Sequence, residues 1–123
     1  MKTFEELQDA KKTRADKLYN IVSNLPALIH SNQEFVDKFL KNLPDHLEYM
    51  IKQIEQQIQL CRKDDQCIAL LGEELTEIRE LKEHAEQVET SIEAGGELQF
   101  DNIKAVKILN KIRARKDFFK KIK

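Results

Sequence analysis

Five side chains in this 123-residue chain have types that could do chemistry beyond acid–base pairing: Cys61, Cys67, His30, His46 and His84. A zinc pair needs cysteines two to four residues apart, and "CRKDDQC" sets them six apart. On one helix that spacing turns the two thiols ~120° away from each other, so they could not bond. If "RKDDQ" is a turn instead, the thiols approach, and a disulfide would mark a hairpin. With only two cysteines the plain expectation is free thiols in a reducing cytoplasm.

The histidines fare no better as ligands. Di-iron bundles place a Glu three residues before a His on two helices; here Ala27, Leu43 and Leu81 hold those positions. "EHAEQ" around His84 is not the HExxH of zinc proteases. Glu80 and His84 lie one turn apart and could share a metal, but a solvated pair is the plainer reading. "GGEL" lacks the Lys and Ser/Thr of a phosphate-binding loop. Ser23, Ser31 and Ser91 sit outside any nucleophile elbow. The expectation is a non-enzymatic chain with no catalytic residue, cofactor, metal or small-molecule substrate.

Charge is the remaining chemistry. The chain ends "KAVKILNKIRARKDFFKKIK", in which nine of twenty residues are Lys or Arg and only Asp117 is acidic. Residues 72–101 hold ten acidic side chains against Arg79 and Lys82, so a −8 segment precedes a +8 one. A net charge of −1 argues against a dedicated nucleic-acid binder. The economical reading is internal: the last helix folds back on the acidic one, its apolar stripe supplying stability and its charges choosing orientation. The alternative is a surface for nucleic acid, with bases beside aromatic platforms; a membrane-surface helix is a third class. Arg113, Arg115, Lys116, Phe118, Phe119 and Lys120 are the candidate partner-binding residues.

These side chains need elements to position them. Three glycines, two prolines and 35% charged residues describe a helical, loop-poor chain, and its length suits one domain. "TFEE" offers Thr3 and Glu6 as a capping box for a helix over about 3–25, which Pro26 ends. Lys11 and Arg14 interrupt its stripe, so that stretch should be less well buried. Ser31 with Glu34 reads as a second capping box for a helix over 31–42. "NLP" then stops it, and Asp45 with Glu48 caps the next.

From 45 to 94 there is no proline and one glycine, Gly72. Leu47, Ile54, Cys61, Ile68 and Leu75 recur every seven residues, the mark of a helix buried along a seam. A second layer slips by one residue across "CRKDDQC". One continuous helix of ~72 Å is the favoured reading, with a break near 62–66 as the alternative. "EAGGELQFDN" is the clearest interruption. Gly95 or Gly96 should end a helix, and Asp101 or Asn102 should start the last one, 101–122.

The sequence therefore predicts an all-α single domain over 1–123. It is an elongated bundle of four to five helices with coiled-coil-like packing, the last antiparallel to the long acidic helix. The expected role is protein interaction or assembly, as chaperone, adaptor, inhibitor or scaffold subunit, with another protein or a second copy of itself as partner. The opening residues carry no apolar h-region, and no apolar run reaches the ~20 residues of a membrane span. The expected compartment is the cytoplasm.

Overall fold

The computed structural model describes residues 3–95 and 100–114. Five helices follow in order: α1 Phe4–Ser23, α2 Leu25–Ser31, α3 Gln33–Leu60, α4 Asp65–Glu93 and α5 Asn102–Ala114. Among the described residues there is no strand. α3 packs on α4, α4 on α5, α5 on α1 and α1 on α3, so the four long helices close a ring. Cross-links fix their directions. Gln57 meets Gln8 while His46 meets Arg14, so α1 and α3 are antiparallel. Glu48 meets Lys82 and Glu55 meets Arg79 across α3 and α4. Asp101 meets His84 and Lys111 meets Glu77 across α4 and α5. The result is an up-down-up-down bundle, with α2 as a corner against α3.

The buried residues show why these segments pack side by side. On α3 they include Val36, Leu40, Leu43, Leu47, Met50, Ile54 and Gln57; on α4 they are Cys67, Leu71, Glu74, Ile78, Leu81, Ala85 and Val88. Steps of four and three alternate, a mean of 3.5, which keeps one seam facing the neighbouring helix. α1 follows the same rule through Gln8, Lys11, Ala15, Leu18 and Val22, and Ala105, Ile108, Leu109 and Ile112 supply the buried stripe of α5.

The helix ends explain themselves, and several correct the sequence reading. Thr3 does cap α1: its Oγ1 accepts from the Glu6 N–H at 3.1 Å. Pro26 stands at the start of α2 rather than after the end of a long α1, where its missing N–H costs nothing. Asn32, not Ser31, caps α3 by accepting from the Phe35 N–H at 3.2 Å. No helix stops at "NLP"; α3 runs through Pro44. A proline inside a helix costs ~3 kcal/mol, and the burial of Leu40, Leu43 and Leu47 to within 1% exposure outweighs it. For the same reason Asp45 caps nothing.

The largest correction is at 61–64. The continuous helix over 45–94 is instead a hairpin, closed by a disulfide between Cys61 and Cys67 with Cα atoms 5.8 Å apart. Neither cysteine is a free thiol. Arg62 takes φ 56°, the left-handed region that turns the chain without glycine. Asp64 then caps α4, its Oδ1 accepting from the Cys67 N–H at 3.0 Å. At the far end Gly95, φ 78°, closes α4 as expected, and Asp101 Oδ1 accepts from the Lys104 N–H at 3.0 Å to start α5.

Candidate functional site: a polar layer within the bundle and the charged flank of α5

The middle of α1 is buried, contrary to the expectation raised by Lys11. That side chain is fully enclosed, and the bundle surrounds it with acceptors. Its Nζ donates to Glu74 Oε2 on α4 at 2.6 Å and to Gln57 Oε1 on α3 at 2.7 Å. Gln57 Nε2 in turn donates to Gln8 Oε1 on α1 at 2.9 Å. Lys11, Gln57 and Glu74 each occupy a seam position on their own helix, so three helices contribute to one polar layer. The Lys11–Glu74 pair joins α1 to α4, two helices that are not neighbours in the ring. Gln53, one turn before Gln57, is 4% exposed, and neither of its amide atoms has a hydrogen-bond partner among the described residues.

A layer of this kind sets register. An ammonium taken out of water is tolerable only beside its carboxylate and carbonyl acceptors. Sliding α1 by one turn would separate them. The sequence held the signal: Lys11, Gln57 and Glu74 each fall where the 4–3 spacing demands an apolar residue. Only their convergence was missing.

Three of the four bases in the described part of the tail, Lys104, Lys111 and Arg113, have acidic partners within the chain. Lys104 Nζ lies 3.7 Å from Glu80, and Lys111 Nζ 3.1 Å from Glu77, both on α4. Arg113 bridges the other way: its Nε donates to Asp16 on α1, and its guanidinium lies 3.9 Å from the Tyr19 ring centroid. The charges thus join α5 to both neighbours, and α1, rather than the acidic helix, is its main packing partner. Ala105, Ile108, Leu109 and Ile112 decide this, since an apolar stripe follows area and not charge. Of the six candidate partner-binding residues, the structure places Arg113 in this pairing. Arg115, Lys116, Phe118, Phe119 and Lys120 lie outside the described residues.

Two histidines are likewise engaged. Arg14 Nη1 donates to His46 Nδ1 at 2.6 Å, with the guanidinium 4.0 Å from the Tyr49 ring centroid. A guanidinium has no lone pair to offer, so His46 must accept. Burial and the positive charges of Arg14 and Lys17 hold its pKa below the ordinary histidine value. His84 Nε2 accepts from the Asp101 N–H at 3.0 Å and stacks on Phe100 at 5.5 Å between centroids. It lines a cleft of ≈ 330 Å³ with Glu80, Glu83, Gln87, Asp101 and Lys104. Glu80 faces Lys104 there, and among the described residues no three potential ligands converge on a metal position.

Between α3 and α4, Lys82 donates to Glu48 at 2.7 Å. That bond lowers the pKa of the Glu48 carboxyl and raises that of the Lys82 ammonium. Among the described residues, no helix is long and apolar enough to cross a membrane. No known family model matches this chain, and neither a curated protein nor a solved structure matches it.

Proposed function

We propose that this chain is a non-enzymatic helical module that docks a partner protein through helix faces, in the manner of an adaptor, chaperone or scaffold subunit. The observation that carries the reading is how its reactive side chains other than the exposed His30 are employed. Lys11 and Glu74 set register in the core, Cys61 and Cys67 close a hairpin, His46 receives Arg14, and His84 receives the start of α5. Each has a structural task. What the bundle presents outward is helix surface, including Phe35, Ile68 and Ile103 at 40%, 37% and 78% exposure.

The cytoplasm remains the proposed compartment. There the glutathione pool tends to keep thiols reduced, so the Cys61–Cys67 bond would be a transient one. Affinity capture with the full chain, compared with Phe35→Glu, Ile68→Glu and Ile103→Glu chains of unchanged helicity, tests the docking reading. At least one substitution should abolish capture of a protein that the parent chain retains. Capture of identical proteins by all four chains, or of none by the parent, overturns it.

A further inference from the structure

We propose that the Cys61–Cys67 disulfide is a lock on the α3–α4 hairpin, and that its reduction lets two copies of this chain exchange α4 and α5 to form a swapped dimer. Four observations converge on the 61–64 turn. First, it is short and bends through Arg62 at φ 56°, a conformation that a residue with a Cβ adopts reluctantly. Second, residues 62–66 contain neither glycine nor proline, so nothing in their covalent structure forbids helix. Third, the row Leu47, Ile54, Cys61, Ile68 and Leu75 keeps its seven-residue period straight across the turn. Within the hairpin that row fails: Leu47, Ile54 and Cys61 are buried, but Ile68 is 37% exposed. Fourth, the disulfide cannot survive straightening. It holds Cα atoms 5.8 Å apart, whereas six residues of helix separate them by about 9 Å and point the thiols apart.

Straightened, residues 33–93 make one helix of roughly 90 Å. α4 and α5 then leave their own α1 and α3, and a second copy supplies the same surfaces in return. Every contact that α4 and α5 make with α1 and α3 away from the 61–67 turn is remade, so the balance rests on the hinge and on chain concentration. Each polar layer would combine Gln8, Lys11 and Gln57 of one copy with Glu74 of the other. Near the hinge the two long helices pass each other, which places Ile68 beside the second copy. A dithiol reductant supplies the two electrons and two protons that convert the disulfide to two thiols, and itself closes to a disulfide.

The proposal deepens the docking reading by naming a second copy as one partner. Its failure would leave capture of a different protein untouched, since that is measured separately. Size-exclusion chromatography with light scattering, on the full chain with and without dithiothreitol, is the test. The oxidised chain should run at 14.4 kDa. The reduced chain, refolded at high concentration, should run at twice that mass with undiminished helical circular dichroism. Arg62→Gly eases the turn and disfavours helix there, so the reduced variant should return to the monomer.

A mixing experiment reads the exchange directly. Reduced Lys11→Met and Glu74→Met chains each spoil their own layers. A swapped heterodimer brings the two substituted positions together in one bundle, as an apolar pair, and restores Lys11 with Glu74 in the other. Heterodimers should therefore exceed homodimers. Monomer at every concentration after reduction overturns the proposal. So does loss of helix on reduction, a dimer that forms equally when oxidised, or a dimer that Arg62→Gly leaves intact.

Discussion

At the residue scale, the stability of this bundle depends on one enclosed cation. Lys11 is 0% exposed and Glu74 3%, so each relies on the other in a medium that solvates neither. Lys11→Met leaves the Glu74 carboxylate and the Gln57 carbonyl without their ammonium donor. Breaking a buried pair in this way should cost about 3–5 kcal/mol, read as a lower urea midpoint. Lys11→Met combined with Glu74→Met removes both charges and should recover most of that loss. A double variant no more stable than the single would mean that the pair is not the coupled unit described here.

His46 makes a second prediction at this scale. Its folded-state pKa lies below the ordinary 6.5, chiefly through burial and then through Arg14 and Lys17, with Asp45 acting in the opposite sense. The unfolded chain therefore binds the proton first. Stability is full above pH 6.5 and falls as pH drops toward the folded-state value, by at most about 1.4 kcal/mol per pH unit for one proton. His46→Gln keeps an acceptor for Arg14 but does not titrate. Urea midpoints between pH 7.5 and 5.5 should slope less in the variant than in the parent.

At the element scale, the two described glycines call for opposite outcomes. Gly72 lies within α4, and a Cβ built there meets nothing within 4 Å. Gly72→Ala should stabilise by about 0.5–1 kcal/mol through helix propensity. Gly95 has φ 78° at the end of α4, where an alanine costs about 1–2 kcal/mol. Thermal unfolding of both variants checks the pair of signs.

The helix boundaries also show where local reading succeeds. Thr3, Gly95 and Asp101 were legible because a cap or a left-handed turn is a short-range matter of one residue type in one place. Pro44 and the 61–64 turn were not. At Pro44 the local rule for stopping a helix lost to long-range burial. At 62–66 five polar residues supported a turn, while the unbroken heptad row and the lack of glycine supported a helix.

For the whole molecule, folding the 45–94 region into a hairpin sets the size. α3 at 28 residues is about 42 Å long, so the oxidised bundle should scatter as a particle far shorter than a ~72 Å helix would require. The ring order makes α1 and α5 mutually dependent. Leu109, fully buried on α5, should cost about 2–5 kcal/mol as Leu109→Ala. Hydrogen exchange should then show lost protection in α1 as well as α5. Protection lost in α5 alone would contradict the packing described.

The amino-acid sequence by itself determined the fold class, the apolar stripe of α5 and the caps at Thr3 and Asp101, because helix periodicity and capping are written in residues three to seven apart. It also placed opposite charges where α5 could meet α4, and Lys104 and Lys111 do meet Glu80 and Glu77. The tertiary structure alone decided three things. α5 rests chiefly on α1, Lys11 converges with Gln57 of α3, and the acidic Glu74 is its counter-ion rather than part of a solvated face. Each depends on side chains far apart in the chain: Arg113 meets Asp16 across 97 residues at the surface, and Lys11 meets Gln57 and Glu74 across 46 and 63 residues in a shared dry interior. There the strength of a charge is set by what encloses it, and no local pattern of residues encodes that enclosure.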